Sequence, residues 1–466
     1  MKMAGRDVKI IVVGAGIAGI SAAHHLVKNG FTNVVVLEAS DRIGGRIRTV
    51  EFGNGIIELG ANWIHGTGEE NSIFALAKEK GLITEPYIFL DRKEIPVRTE
   101  DGRIINKESL KLATDIYESI EEELEDGITS TENVSCEQYI RKRLSEELQS
   151  IDQKYHHDIQ MIMNSFVKEL GLYEGDDLNR VSANLFPINE EIEGEDITVP
   201  GGYSKVIQSL SDDIPPNVVR LGQRVTRINW NSEMDTLDHV DVYCEDGDKE
   251  CVYNAQHIIV TCSLGHLKQN YKSLFKPELP QWKRDAIEKL AFGSVEAVFL
   301  SYETPFWKQD DGCFMIASEN VVDLNLPKWI RSAYWVREIP TARNVLLIWL
   351  HGENSKEVSF VPRHEIATTC TNVIRKCLND ETIPLPSEVM VSSWCTDPLY
   401  LGAYSYLSTE SSRSCVSDMA KPLLVNDKPV LCFAGEATHV TWSSFAHGAM
   451  SSGKRETERL VRFYSK

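Results

Sequence analysis

The sequence of 466 residues lacks the features that mark several classes of protein. No apolar run reaches the roughly 18 residues that a membrane-spanning helix needs, and because the first apolar run already occupies residues 8–13, we expect no signal peptide. The ten cysteines form neither a CxxC pair nor a cluster with histidine, so no zinc site and no disulfide framework is expected. The chain ends in Ser465 and Lys466, without the leucine of a peroxisomal address. We therefore expect a cytoplasmic protein with reduced thiols and no membrane anchor.

Positive charge is also scarce, because 49 Lys and Arg residues face 69 Asp and Glu residues, a formal net charge of −20. Such a chain repels phosphates, so nucleic acid is not an expected partner. The same field would attract small cations, although an acidic surface also simply favours solubility. Two dense acidic stretches, residues 121–126 and 190–196, are interpreted as solvated surface. The length predicts two domains, and we expect a monomer or a weak dimer.

The N-terminal residues contain the pattern of a complete β-α-β unit. Residues 8–13 form a β-branched apolar run that predicts a buried strand, and residues 20–28 predict a helix. Residues 33–37 predict a second buried strand, which Glu38 follows directly. The motif Gly-x-Gly-x-x-Gly occupies residues 14–19, between the first strand and the helix. This context predicts a Rossmann-type dinucleotide site.

Each glycine of the motif has a physical task in such a site. Gly14 allows a tight turn, Gly16 lets the backbone approach a pyrophosphate, and Gly19 permits close packing of the helix on the strand. Free N–H groups at the start of the helix favour the phosphates. Glu38 can accept hydrogen bonds from a ribose 2′-hydroxyl and would repel a 2′-phosphate, which argues against NADP.

The motif alone does not separate FAD from NAD, but the following residues favour FAD. Residues 41–46 contain two glycines and two arginines, which suit a loop around a diphosphate with Arg46 as its cation. Residues 57–66 offer small side chains and backbone amides that suit contact with a planar ring system.

In these segments the sequence resembles the flavin-containing amine oxidases, most closely the polyamine oxidase and spermine oxidase branch. The resemblance covers nearly the whole chain, and no long antiparallel helical insertion of the histone-demethylase kind interrupts it. The motifs that carry it lie at residues 14–19, 38–46, 58–66, 199–203, 261–268, 433–439 and 447–453.

The resemblance implies an α/β fold with a Rossmann-type FAD-binding domain assembled from discontinuous segments, plus an α+β substrate-binding domain. The FAD-binding domain would comprise residues 1–85, 200–295 and 395–466, and the substrate-binding domain residues 86–199 and 296–394. The residue pattern agrees, with helical periodicity at 104–172, strand-like alternation at 218–230 and 240–252, and a buried strand at 345–350.

The resemblance also implies the residues that contact FAD. Val225 would meet the adenine side through its backbone, and Ala446 would begin a helix that meets the flavin ring. Ala403 stands where the monoamine oxidases attach FAD to a cysteine, so FAD would be bound without a covalent bond. The cofactor-binding residues expected are Gly14, Gly16, Ala18, Gly19, Glu38, Ala39, Arg46, Gly60, Ala61, Asn62, Trp63, Val225, Trp394, Gly435, Glu436, Phe445 and Ala446.

Three residues are expected to act on the substrate. Amine oxidation transfers a hydride equivalent to the flavin from the carbon beside a nitrogen, so the protein chiefly supplies position and a dry pocket that favours the neutral amine. The resemblance places Tyr404 and Phe445 on either side of the substrate and His65 beside it as a hydrogen-bond acceptor. The alternatives are that the aromatic residues are ordinary core, that His65 is a satisfied buried histidine, and that Glu436 is a surface carboxylate.

Two positions depart from the family's pattern. The lysine of its glycine-x-x-x-lysine-x-phenylalanine strand, which assists the reaction with oxygen, is replaced by Ala297. Glu296 cannot substitute for it, because neighbouring side chains on a strand point to opposite faces, and Lys268 is interpreted as structural. The acidic residue of the spermine-handling enzymes aligns with Leu185. Glu190 and Glu191 are the nearby acids that could serve instead.

The expected function is FAD-dependent oxidation of an amine, with a polyamine such as spermine, spermidine or an acetylated form as the leading substrate. The product would be an imine that water hydrolyses to an aldehyde and a smaller amine, and oxygen would be reduced to hydrogen peroxide. Ala297 leaves two alternatives open. One is a weakly active or inactive FAD-binding member of the family, and the other is a flavin dehydrogenase that uses another electron acceptor.

Overall fold

The computed structural model describes residues 6–83, 95–128, 132–186, 192–230, 239–247, 249–307, 313–319 and 326–465. The helices within these ranges are α1 (Ile17–Lys28), α2 (Ser72–Glu79), α3 (Lys107–Asp126), α4 (Cys136–Glu147), α5 (Gln153–Glu174), α6 (Ser204–Ser211), α7 (Leu264–Leu274), α8 (Gln281–Lys289), α9 (Arg363–Leu378), α10 (Ser414–Ala420) and α11 (Ala446–Tyr464). The strands are β1 (Lys9–Val13), β2 (Asn33–Leu37), β3 (Thr49–Phe52), β4 (Gly55–Glu58), β5 (Val97–Thr99), β6 (Val219–Arg220), β7 (Gln223–Asn229), β8 (Val240–Asp246), β9 (Lys249–Ala255), β10 (His257–Val260), β11 (Phe275–Lys276), β12 (Ala291–Phe292), β13 (Val295–Ser301), β14 (Phe314–Ala317), β15 (Trp335–Ile339), β16 (Ala342–His351), β17 (Glu388–Val391), β18 (Ser405–Tyr406), β19 (Leu423–Val425) and β20 (Lys428–Phe433).

A six-stranded sheet with the order β19-β20-β10-β1-β2-β6 contains the N-terminal β-α-β unit. All of its pairs are parallel except β19 with β20. Layers cover both faces of such a sheet, which explains why β1 and β2 are continuous apolar runs in the sequence. Ligands bind at the carboxyl ends of parallel strands, and β1 ends at the glycine turn.

Helix α1 packs along the C-terminal helix α11 on one face of this sheet. Gly453 permits this arrangement, because a Cβ atom there would lie 2.1 Å from the carbonyl oxygen of Ala18. Gly19 instead lets α1 pack closely on the glycine turn, since a Cβ atom there would lie 2.0 Å from the carbonyl oxygen of Gly14. The first and last helices of the fold are therefore in direct backbone contact.

A second six-stranded sheet, of mixed direction, has the order β17-β13-β16-β15-β14-β5. Helix α5 packs against β14 and β16, and α3 packs on α5. A four-stranded sheet, β11-β7-β8-β9, and the short pairs β3-β4 and β12-β18 complete the strands in the described ranges. The C-terminal end of α5 meets the cavity described below.

The predicted fold class is confirmed, since a parallel sheet assembled from separated segments accompanies a second, α+β layer. The second strand lies where it is predicted, at Asn33–Leu37. Helix α1 begins at Ile17 rather than at residue 20, because the last residues of the glycine motif form its first turn. Among the described residues, no helix combines the length and apolarity that crossing a bilayer requires.

Candidate active site

A cavity of about 410 Å³ extends from the glycine turn to the end of α5. Every residue predicted to contact the cofactor lines it except Gly19, which lies behind the turn as a packing residue. The three residues predicted to act on the substrate, His65, Tyr404 and Phe445, line it as well. The structure thus brings together segments from the beginning, middle and end of the chain.

The glycine turn has the geometry of an anion site. Gly14 has a φ of +103°, which disfavours other residues. A Cβ atom at Gly16 would have no neighbour within 4 Å, so this side of the turn is open to a ligand. Gly16 is also the N-cap of α1 and provides no side-chain cap. The first N–H groups of α1 therefore keep their capacity to bind an anion at the positive end of the helix.

Glu38 follows β2 at the edge of the cavity and is buried. Its Oε2 accepts a hydrogen bond from the backbone N–H of Ala15 at 2.6 Å. Its Oε1 accepts from the backbone N–H of Ser40 at 2.9 Å and from the Ser40 hydroxyl at 2.7 Å. Since a carboxylate has about four acceptor positions, Glu38 can still accept a hydrogen bond from a ribose hydroxyl.

Arg46 and Glu436 form an ion pair in the cavity wall. The Nη1 of Arg46 donates to Oε1 of Glu436 at 3.0 Å and also to the carbonyl oxygen of Ala403. The Oε2 of Glu436 accepts from the Ser405 hydroxyl at 2.6 Å and from the Ser444 backbone N–H at 3.2 Å. Glu436 is only 4% exposed, so the alternative of a surface carboxylate is wrong. Glu436 therefore connects Arg46 to the segments that contain Ser405 and Ser444.

The N-terminus of α11 faces the same cavity. Phe445 is its N-cap, provides no side-chain hydrogen bond to the helix, and lines the cavity with Ala446 and Ala449. Trp394 also lines the cavity, and its indole Nε1 donates to the carbonyl oxygen of Leu59 at 2.6 Å. A Cβ atom at Gly60 would lie 1.8 Å from the carbonyl oxygen of Arg46 and 3.1 Å from this indole, so the backbone of Arg46 requires a glycine there.

His65 is paired with a residue that sequence reasoning assigned to solvated surface. Its Nδ1 lies 2.7 Å from Oδ2 of Asp196, which belongs to the second acidic stretch. Burial is the largest single influence and opposes ionisation of Asp196, but the hydrogen bond and charge of His65 together with the backbone N–H of Gly66 hold the pKa of this carboxyl below its usual value. None of the predicted motifs contains Asp196, and the separation of 131 positions between the two residues leaves no local signal for the pair.

Tyr404 and Glu174 lie together where α5 ends. The Tyr404 hydroxyl donates to the carbonyl oxygen of Leu172 in the last turn of α5, while the residue lines the cavity. The sequence leaves open whether Tyr404 is a core residue or a pocket residue. In the structure it packs against the core and also lines the cavity. Glu174 is the last residue of α5 and also lines the cavity, where enclosure by protein raises its pKa to about 7. Sequence reasoning missed Glu174, although the helix-ending Gly175 after it is a recognisable C-cap signal.

The sequence model of the flavin containing amine oxidoreductases matches residues 17–461. The chain belongs to this family. It is 30% identical to polyamine oxidase 1 of Oryza sativa subsp. japonica, over 99% of this chain and 98% of that protein. It is 29% identical to the peroxisomal N(1)-acetyl-spermine/spermidine oxidase of Homo sapiens, over 98% of this chain and 95% of that protein.

A solved structure of a putrescine oxidase double mutant, redesigned in cofactor binding, superposes with a TM-score of 0.73. It covers 98% of this chain and 99% of that chain at 19% sequence identity, which establishes the shared fold. The protein is an FAD-dependent amine oxidoreductase. An inactive binding protein and a dehydrogenase are not favoured, because the family match and the full-length oxidase relatives all support an oxidase.

In this amine oxidoreductase, none of the described residues that line the cavity is a lysine. Ala297 is 0% exposed and does not line the cavity, but packs near Leu59 and Trp394. Glu296 accepts backbone N–H groups from Trp394 at 3.0 Å and Cys395 at 2.8 Å, so it supports the wall from behind.

The remaining departures from the family pattern are also located. Leu185 lines the cavity as an apolar side chain, whereas Glu190 and Glu191 lie outside the described residues. Lys268 donates to the carbonyl oxygen of Glu288 at 2.8 Å, near the end of α8, as expected of a structural residue.

Proposed function

We propose that this protein oxidises a polyamine, such as spermine, spermidine or an acetylated form, at a carbon beside an amine nitrogen. Hydrolysis of the imine would release an aldehyde and a smaller amine, and oxygen would accept the electrons as hydrogen peroxide. The observation that carries the proposal is the electrostatic asymmetry of the cavity. The positive ends of α1 and α11 and the negative end of α5 all face it.

The residues at the positive helix ends suit FAD. The N–H groups of α1 would hold the diphosphate with Arg46, Glu38 would accept a ribose hydroxyl, and the N-terminus of α11 would face the flavin ring. Bound FAD supplies the acceptor for the hydride equivalent that leaves the substrate carbon. We propose that FAD is bound without a covalent bond, since Ala403 offers no nucleophile, and that residues 1–85, 200–295 and 395–466 form its domain. Residues 86–199 and 296–394 would form the substrate domain.

The residues at the end of α5 suit an ammonium group. Glu174 lies at the negative end of this 22-residue helix, and both features favour a cation. An enclosed carboxyl with a pKa of about 7 becomes fully ionised when a cation binds beside it. Glu174 would therefore bind one nitrogen of the substrate in its charged form.

The cavity favours a neutral nitrogen at one place and a charged nitrogen at another, and a substrate with several nitrogens can supply both. The nitrogen beside the reacting carbon must be neutral, and a pocket walled by Tyr404, Phe445 and Trp349 favours the neutral form because it excludes water. Glu174, by contrast, is stabilised by a positive charge. A polyamine can present one neutral and one charged nitrogen at the same time, whereas a monoamine cannot.

The test is anaerobic mixing of the purified holoenzyme with spermine, spermidine, their acetylated forms and an alkyl monoamine, followed by flavin absorbance. We expect bleaching by at least one polyamine and much slower bleaching by the monoamine. Glu174→Gln should weaken polyamine binding about 10- to 100-fold, whereas the exposed Glu195→Gln should not. Equal rates for the monoamine would refute the substrate proposal, and bleaching that persists in air would refute oxygen as acceptor.

We propose a cytoplasmic location and a monomeric or weakly dimeric state. All ten cysteines are free, which supports a reducing compartment, and the net charge of −20 opposes self-association. Cell fractionation and light scattering of the holoenzyme test the two parts separately. Release of the flavin on acid precipitation tests non-covalent binding.

A further inference from the structure

The imidazole of His65 is held from several sides. Its Nδ1 contacts Oδ2 of Asp196 at 2.7 Å, and Oδ1 of the same carboxylate accepts the backbone N–H of Gly66 at 3.1 Å. The two segments are joined just beside this pair, because Ile64 and Ile197 exchange backbone hydrogen bonds of 2.8 and 3.0 Å. Asp196 therefore lies at a fixed position relative to the ring.

Two further contacts complete the support. Asn71 donates from Nδ2 to the carbonyl oxygens of His65 at 2.8 Å and Gly66 at 3.1 Å. The Phe445 ring meets the His65 ring edge-on, with 5.1 Å between centroids. Behind Phe445 lies His447, which stays neutral because burial and then the neighbouring His65 lower its pKa to about 3. Asp196 is consequently the ionised partner that faces His65.

The orientation of the ring follows from what lines the cavity. His65 lines it and Asp196 does not, so the Nδ1 edge points away from the cavity and the opposite edge points towards it. A carboxylate only accepts hydrogen bonds, so Nδ1 must have the proton when it pairs with Asp196. In the neutral ring Nε2 then has no proton and is an acceptor.

We infer that Asp196 is a positioning residue, which fixes His65 in the Nδ1–H tautomer so that Nε2 accepts an N–H from the reacting amine nitrogen. This inference rests on the proposed function. The hydrogen bond would orient the nitrogen, and with it the carbon that loses the hydride equivalent. The same ring in the opposite tautomer would present an N–H donor to the amine and disfavour this orientation.

The first test compares Asp196→Asn with Glu195→Gln, which removes an adjacent exposed carboxylate. Asparagine has nearly the same size but can donate as well as accept, so it permits both tautomers. We expect the limiting rate of anaerobic flavin bleaching by a polyamine to fall about 10- to 100-fold in Asp196→Asn. The dissociation constant should change little, because Glu174 supplies the binding. An unchanged rate, or a loss confined to binding, would overturn the inference.

A double-mutant cycle separates positioning from a merely structural role. In a His65→Ala background, Asp196→Asn should cause no further loss of rate, because Asp196 acts through the missing ring. An additive loss in that background would show that Asp196 acts on the fold instead. The unfolding temperature of each variant identifies any general loss of stability.

The tautomer itself can be observed without turnover. The ¹⁵N imidazole spectrum of the resting holoenzyme, with His65 assigned by its loss in His65→Ala, should show protonated Nδ1 and unprotonated Nε2 at neutral pH. A protonated Nε2 in the neutral ring would contradict the inference. The spectrum also separates this inference from the proposed function. If no amine reduces the flavin, the proposed function is refuted, but the spectrum still shows which tautomer His65 has.

Discussion

Ala297 on β13 lies directly opposite Trp349 on β16, and of the two only Trp349 lines the cavity. The family's lysine position is thus occupied by the small, fully buried Ala297. Of this pair, the large Trp349 forms the cavity wall. A lysine here would have to extend past the indole to reach the cavity. The pair accounts structurally for the absence of a cation among the described residues of this part of the wall.

Replacing Ala297 by lysine should speed the reaction of the reduced enzyme with oxygen. A cation near the point of oxygen reduction stabilises the negative charge that develops there. We expect an increase of about tenfold or more in the reoxidation rate, together with a lower unfolding temperature because the alanine is fully buried. Stopped-flow mixing of reduced enzyme with oxygenated buffer measures the rate. Ala297→Met adds similar bulk without charge, and an equal gain from it would count against the electrostatic explanation.

Two substitutions in the glycine turn should have opposite consequences. Gly16→Ala adds a methyl group into open space at an ordinary φ of −67°, so the flavin-free protein should keep its stability. The methyl would crowd the diphosphate, and FAD affinity should fall about 10- to 100-fold. Gly19→Ala instead places Cβ 2.0 Å from the carbonyl oxygen of Gly14, so it should destabilise the protein with or without FAD. Fluorescence titration with FAD and thermal unfolding of the flavin-free proteins distinguish the two.

Lys283 should be a major contributor to stability, although it lies outside the cavity. It is 0% exposed, and its Nζ donates to the carbonyl oxygens of Asp418 at 2.6 Å, Met419 at 2.8 Å and Lys421 at 2.7 Å. Lys283→Met leaves these carbonyls without their donor, and we expect a loss of about 3 kcal/mol in the free energy of unfolding. Lys289→Met on the same helix is the exposed control. Urea unfolding that shows the same loss in both variants would disprove a special role for Lys283.

His447 should make the protein less stable in acid. Its folded pKa is about 3, lowered first by burial and then by His65 and His439, whereas an unfolded histidine titrates near 6.5. Between these values the unfolded chain binds a proton that the native state does not, so stability falls as the pH falls through this window. His447→Phe, which retains an aromatic ring against Phe445, should reduce the loss between pH 7.5 and pH 5 by about 2 kcal/mol. Urea unfolding at both pH values tests this, and the exposed His364→Phe should leave the pH dependence unchanged.

The sequence predicted the cofactor half of the cavity better than the substrate half. Gly14, Gly16 and Glu38 form a local motif whose spacing dictates its geometry, and the apolar run at 33–37 is a strand because both faces are covered. Contacts across the fold place Glu174 in the cavity wall and pair Asp196 with His65, which lines the cavity. Neither periodicity nor spacing reports such contacts, so the sequence pattern indicates solvated surface for Asp196 and does not mark Glu174 as a site residue.

The backbone contact between α1 and α11 has a consequence for the order of assembly during synthesis. Residues 17–28 leave the ribosome long before residues 446–464, which cover them and complete the cavity. An emerging chain would therefore display an uncovered apolar face on α1 and acquire its cofactor only after α11 has been made. Chaperone dependence during translation and colourless C-terminally truncated fragments are the expected signs of this timing.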